Sequence, residues 1–266
     1  MPSLLLVHAH PDDESLFSGL LTLRAKARGW WVTLVTLSDG RLGFDPMGRD
    51  GLEADHDAEA TALLRHRELV TACGQLGIDE LIHLAYRDSG MAGWSSNQDP
   101  QALTSAPVSE LAQQIGRLMD TMGADLVVTY GSDGFYGHPD HIACHESVNE
   151  ALKERSNVAF LAPVVAVGEL PPLAAWLSDH GSLLPDWLGA DLAPGVDPAA
   201  IVGSISDPHT APLKQAALAC HRSQRDNELF AQLEASAFAT VLGTEHYQLC
   251  QAGNAHAHHL ALSLLD

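Results

Sequence analysis

"SLLLVHAHPDDESLFSGLLTLRAKARG", residues 3–29, runs from an apolar stretch through a polar turn into helical periodicity. The run Leu4–Val7 is short and unbroken, as in a strand covered on both faces. Leu16, Leu20, Leu23 and Ala27 then recur near helical spacing, and Gly29 supplies a stop. Between these two segments His10, Asp12, Asp13 and Glu14 place four ionisable side chains within five positions. In a parallel α/β sheet the carboxyl end of a strand is where sites are built, so the charge falls where chemistry is expected.

The same alternation continues. "WWVTLVTL", "ELIHLAY", "DLVVTYG" and "VAFLAPVVAVG" read as strands, and helical segments lie between them, two ending at Gly77 and Gly123. This predicts an α/β fold: a Rossmann-like, mostly parallel sheet with helices on both faces. Long polar loops follow the second strand (39–57) and the third (87–106). Residues 169–207 break the pattern and read as an irregular insertion or cap within a single domain spanning 1–266. Residues 207–235 read as helical, "EHYQLCQAG" as a late strand, and the "AHAHH" tract (255–259) as a solvated tail or edge strand.

The totals exclude some partners. The chain has 266 residues and a formal charge of −20, from 14 Lys+Arg against 34 Asp+Glu. That balance argues against nucleic acid and anionic membranes, which need a basic face. No apolar run approaches the length of a membrane span. Cys73, Cys144, Cys220 and Cys250 are far apart, which fits neither a zinc knuckle nor a disulfide framework. A cytoplasmic protein is the expectation, and the sequence leaves room for a homo-oligomer.

His10 and Asp13 are three residues apart, as are His138 and His141, and Pro11 and Pro139 suit helix starts. A lone pair of this kind is more often a cap or a solvated cluster. Two of them, each after a strand of one predicted sheet, point to a metal. Two imidazoles and a carboxylate with an open position suit catalytic Zn²⁺, and Fe²⁺ fits the same ligands. Asp12, beside Asp13, is an acceptor suited to take a proton from activated water. An Fe(II) oxygenase would require a jelly-roll pattern, which is absent here. A nucleotide-binding module would require a glycine-rich phosphate loop where this chain has "HPDDE".

"AHPDDE" (9–14) and "GHPDH" (137–141) together resemble the LmbE-like (PIG-L-like) family of zinc-dependent N-acetylglucosaminyl deacetylases. The likeness extends through "RHREL", "YRDSGMAG" and "EHYQL", and "RDSGM" looks most like the mycothiol- and bacillithiol-pathway branch. The resemblance implies that His10, Asp13 and His141 bind zinc and that Asp12 is the general base. It makes His138 the general acid or oxyanion stabiliser, Asp140 the residue that orients His138 or its neighbour, and Tyr136 a further oxyanion donor. Arg65, at the pocket mouth, and Asp88 would hold sugar hydroxyls or the aglycone. The implied substrate is a small N-acetylglucosaminyl compound, with an S-conjugate amidase or a chito-oligosaccharide deacetylase as alternatives. One stretch departs from the branch: where a "GE"-rich loop is expected after the second strand, this chain has "SDGRLGFDPMGRDG".

Other residues carry plainer expectations. His8 reads as a satisfied core histidine, His145 as an ordinary helix histidine and His221 as a packing residue. Trp94 and Trp187 read as core residues in loops.

Overall fold

The computed structural model describes residues 1–169, 174, 175, 178, 179 and 195–266. Its strands are β1 (Ser3–His8), β2 (Trp31–Ser38), β3 (Glu80–Tyr86), β4 (Leu126–Val128), β5 (Ala159–Val164), β6 (Ile201–Ser206) and β7 (Thr244–Gln251). They form one seven-stranded sheet in the order β3-β2-β1-β4-β5-β7-β6. The pairings from β3 to β5 are parallel, and β7 runs antiparallel to both β5 and β6. The chain winds outward from β1 to β3 and then returns to lay β4 on the other side of β1. The loops after β1 and β4 therefore part at a topological switch point, where such sheets open a crevice.

The alternation along β1 explains the two-sided burial. Leu5 and Val7 pack with Val35, Leu111, Ile115 and Val148. Leu4 and Leu6 pack on the opposite face with Leu20, Leu34, Leu69 and Ala261. The first face is covered by α3 (Val108–Met122) and α4 (Pro139–Leu152). The second is covered by α1 (Asp13–Ala27), α2 (Ala58–Leu76) and a C-terminal helix, Ala255–Leu265.

That C-terminal helix corrects the reading of "AHAHH" as tail or edge strand. Ala257 and Ala261 face the core while His256 and His259 are exposed, so the histidines form the outer face of a packed helix. Two further corrections concern the late chain. Ile201–Ser206, placed in the irregular stretch, is the sheet's edge strand, only half covered because among the described residues it pairs with β7 alone. The stretch read as helical over 207–235 divides into α5 (Ala211–Leu218) and α6 (Arg225–Ala231), followed by α7 (Ala235–Leu242). The C-terminal helix is α8. Trp187 and most of the expected cap lie outside the described residues. Among the described residues no helix is long and apolar enough to cross a membrane.

Helix α1 is broken at Ser18 (φ −140°), whose hydroxyl meets His8 Nε2 at 2.8 Å. The N–H groups freed beyond the break, of Leu20 and Leu21, donate to Glu245 at 2.8 and 3.0 Å. Glu245 also accepts from Lys214 Nζ at 2.8 Å and from the Tyr247 hydroxyl at 2.7 Å. The "EHYQL" segment thus caps the second half of the helix that carries Asp13.

Candidate metal centre and pocket

The loops after the carboxyl ends of β1 to β4 converge on one cavity of about 830 Å³. At its floor three ligand-type atoms face one another. His10 Nδ1 lies 3.3 Å from Asp13 Oδ2, His141 Nε2 lies 3.6 Å from the same oxygen, and the two nitrogens are 3.3 Å apart. Four ligands placed tetrahedrally around Zn²⁺ at its usual bond lengths are about 3.4 Å from one another.

The partners of each group fix its orientation. His141 Nδ1 lies 3.1 Å from the Gly134 carbonyl, which can only accept, so that nitrogen carries the proton and Nε2 presents a lone pair. Gly134 (φ +64°) makes this approach feasible, since a Cβ there would meet Ile142 Cγ1 at 2.8 Å. His10 turns Nε2 toward Asp140 Oδ2 at 3.3 Å and Asp88 Oδ1 at 3.6 Å, leaving Nδ1 toward Asp13. Asp13 Oδ2 accepts from the Tyr130 hydroxyl at 2.5 Å and from the His10 N–H at 2.8 Å. The remaining atoms are acceptors pointed at a common centre, and a cation relieves that arrangement. His10, Asp13 and His141 fit a divalent metal, with carboxylates behind His10 as metal-bound imidazoles commonly have. His138 also brings a ring nitrogen within 4.8 Å of the His10 and His141 ligand atoms.

The electrostatics agree. Burial alone would raise the Asp13 carboxyl, but His141 and His10 outweigh it and hold it well below the usual range. Burial opposes charge on His10, yet Asp88, Asp13 and Asp140 push that ring strongly toward the cationic form. Both shifts come from opposite charges packed around His10 and Asp13, while burial lowers the His141 ring and favours its neutral form.

Asp12 has different surroundings. Its side chain is 18% exposed, and burial pushes its carboxyl up to about 6 despite the opposing pull of Arg65. Arg65 Nη2 lies 3.0 Å from Asp12 Oδ2, and Asn227 Nδ2 donates to that oxygen at 2.8 Å. His138 caps α4, its Nδ1 accepting the Asp140 N–H at 3.2 Å. Burial, with His10 beside it, lowers its pKa to about 4, so the ring is neutral at pH 7 with its proton on Nε2. Tyr136 lies beside both histidines, with ring centroids 5.9 Å from His138 and 5.1 Å from His141.

The structure brings all nine expected site residues to this floor, three of them in unexpected surroundings. Asp140 meets His10 and the Ser89 N–H with its carboxylate, and touches His138 only through its backbone. Asp88 accepts from Gly90 N–H at 2.8 Å and faces His10, so it stands behind the His10 ring. Arg65, expected at the mouth, is 5% exposed and bound to the carbonyls of Pro11 and Gly40. Tyr130, Asn227 and Gln224 were missed. Tyr130 had one signal, its place at the carboxyl end of the "DLVVTY" run.

The outer pocket is differently made. Leu42, Phe44 and Leu52 from the loop after β2 face Met91 and Trp94 from the loop after β3. Phe44 is held on both backbone groups by the Gln224 amide, at 3.2 and 3.4 Å, and Arg225 lies over its ring at 4.4 Å. Asp50, Asp133 and Asp226 add negative charge to the lining.

The family model for PIG-L, described as GlcNAc-PI de-N-acetylase, matches residues 5–152. A 1D-myo-inositol 2-acetamido-2-deoxy-α-D-glucopyranoside deacetylase from Actinosynnema mirum is 35% identical, over 84% of this chain and 81% of its own. One from Salinispora arenicola is 33% identical, over 92% of this chain and 84% of its own. Among solved structures, N,N'-diacetylchitobiose deacetylase from Pyrococcus horikoshii superposes with a TM-score of 0.59 at 19% identity, covering 93% of this chain and 83% of that one. GalB, a 4-carboxy-2-hydroxymuconate hydratase from Pseudomonas putida, gives 0.59 at 15% identity over 94% and 96%. A deacetylase and a hydratase sharing one fold leave the reaction to be argued from the site. The match over residues 5–152 and the full-length relatives establish that the chain belongs to the PIG-L family.

Proposed function

We propose that the chain is a zinc-dependent hydrolase that removes the N-acetyl group from an N-acetylglucosaminyl compound. The observation that carries this is the triangle of acceptor atoms on His10, Asp13 and His141, with Asp12 beside it in separate surroundings. A divalent ion held by those three residues supplies Lewis acidity toward the acetamide carbonyl and lowers the pKa of water. Zn²⁺ suits the donor set, and Fe²⁺ fits the same ligands.

The chain's own residues do the rest. Asp12, with its carboxyl near 6, takes a proton from the attacking water at neutral pH. His138, neutral and protonated on Nε2, donates a hydrogen bond to the carbonyl oxygen as negative charge develops, and Tyr136 supports it. Asp12 then returns its proton to the departing amine, leaving acetate and a free glucosamine. Asp88 and Asp140 keep His10 turned with Nδ1 inward.

The outer wall of Leu42, Phe44, Met91 and Trp94 serves the aglycone. Asp50, Asp133 and Asp226 oppose an anionic group there, while hydroxyls can donate to them. An uncharged polyol such as inositol therefore suits the pocket better than malate, in keeping with the inositol-linked substrate for which the two relatives are named. The test is amine release from a panel: N-acetylglucosamine alone, linked to inositol, linked to malate, and as a chito-oligosaccharide. Release that stops with a chelator and returns with Zn²⁺, fastest on the inositol compound, supports the reading. No release from any member contradicts it.

A further inference from the structure

Asp12 has φ +121° and ψ −26°, a backbone conformation that L side chains rarely adopt. The twist explains how neighbouring carboxylates point apart, Asp13 toward the two histidines and Asp12 toward Arg65. A conformation of this kind persists only where its surroundings enforce it. The Asp12 N–H donates to Glu14 Oε2 at 2.9 Å. Glu14 is fully buried, and its other oxygen meets His221 Nε2 at 2.8 Å. Burial would raise the Glu14 carboxyl, but His221 holds it low. On the side-chain end, Asn227, 3% exposed, donates to Asp12 Oδ2 at 2.8 Å.

His221 and Asn227 lie in "HRSQRDN" (221–227), well beyond the family match at residues 5–152. The same segment is anchored independently of Asp12: Ser223 donates to Glu68 through its N–H at 2.9 Å and its hydroxyl at 2.6 Å. His221 lies in the break between α5 and α6, Asn227 lies in the first turn of α6, and both are buried.

We propose that residues 221–227 form a clasp that positions Asp12, Asn227 acting on its carboxylate and His221, through Glu14, on its twisted backbone. The proposal rests on the reading of Asp12 as the base. Asn227 and His221 are positioning residues, so their loss should appear in turnover and should depend on Asp12.

The experiment measures kcat, KM and bound metal for Asn227→Leu, alone and combined with Asp12→Asn. The expected result is a kcat loss of about 10- to 100-fold, as for misplaced reacting groups, with KM and metal content unchanged. The loss should be equal for substrates with and without an aglycone. Adding Asn227→Leu to Asp12→Asn should cost less than about threefold, because positioning a base that is already absent has no value. A kcat within about threefold of wild type overturns the clasp, as does a loss that appears in KM or adds fully to Asp12→Asn. If Asp12→Asn itself is fully active, the base assignment falls, and the clasp with it. His221 gives a second variant pair should Asn227→Leu not fold. His221→Gln keeps an N–H toward Glu14 and should retain turnover that His221→Leu loses; equal turnover in the two overturns the backbone half of the clasp.

Discussion

Arg65 Nη2 lies 3.0 Å from Asp12 Oδ2 and donates to the Pro11 carbonyl at 2.6 Å, while Nη1 donates to Gly40 O at 2.8 Å. A Cβ on Gly40 would stand 2.6 Å from Nη1, so that glycine, at φ +62°, lets the guanidinium pass beneath the loop after β2. The guanidinium thus ties the Asp12 carboxylate to the backbone on either side of it. Arg65 lowers the Asp12 carboxyl, so removing it should raise that pKa. A base works only when deprotonated, so the acid limb of kcat/KM should move to higher pH in Arg65→Ala, with a larger loss at pH 6 than at pH 8. The pH–rate profile on two aglycones checks this. An unmoved limb, with a loss confined to one aglycone, would return Arg65 to substrate binding.

The Phe44 ring is a preorganised wall, with its backbone clamped by Gln224 and its ring covered by Arg225. Phe44→Ala should lower kcat/KM for aglycone-bearing substrates about tenfold, or ~1.4 kcal/mol, and leave N-acetylglucosamine alone nearly unchanged. Steady-state kinetics on the matched pair decide this. Equal losses would place Phe44 against the sugar.

Lys214 and Glu245 are 1% and 4% exposed, and Glu245 also holds the freed N–H groups of the broken α1. Lys214→Ala strands a buried carboxylate and should cost about 3–5 kcal/mol in urea unfolding. By contrast Lys153, 69% exposed and paired with Glu150, should cost less than about 1 kcal/mol on the same change. A Lys214→Ala protein as stable as wild type would mean that water reaches the pair.

The mostly parallel sheet with helices on both faces was legible because strands buried on both faces read as unbroken apolar runs, and because the chemistry sits in the loops that follow them. That His10, Asp13 and His141 come together was legible through paired motifs at helix starts. What lay hidden depends on contacts distant in sequence. Arg65, expected at the pocket mouth, is buried through bonds to the carbonyls of Gly40 and Pro11, which lie 25 and 54 residues away in the chain. Ile201–Ser206 carries Gly203 and two serines and pairs on one side only, so its alternation is weak. Asn227 lies 215 residues from Asp12, and nothing local marks it as inward-facing. In α8 the conspicuous histidines were the wrong signal, because the packing face is alanine and leucine.

The central claim is that His10, Asp13 and His141 hold one catalytic metal while Asp12 acts beside it. Elemental analysis paired with acetate release from N-acetylglucosaminyl-inositol tests this directly. Wild type should carry one divalent ion per chain. His141→Ala should lose both metal and activity, whereas Asp12→Asn should keep the metal and lose activity by about 10²- to 10⁴-fold. A His141→Ala protein that is fully metallated and active, or an Asp12→Asn protein at wild-type rate, would contradict the account.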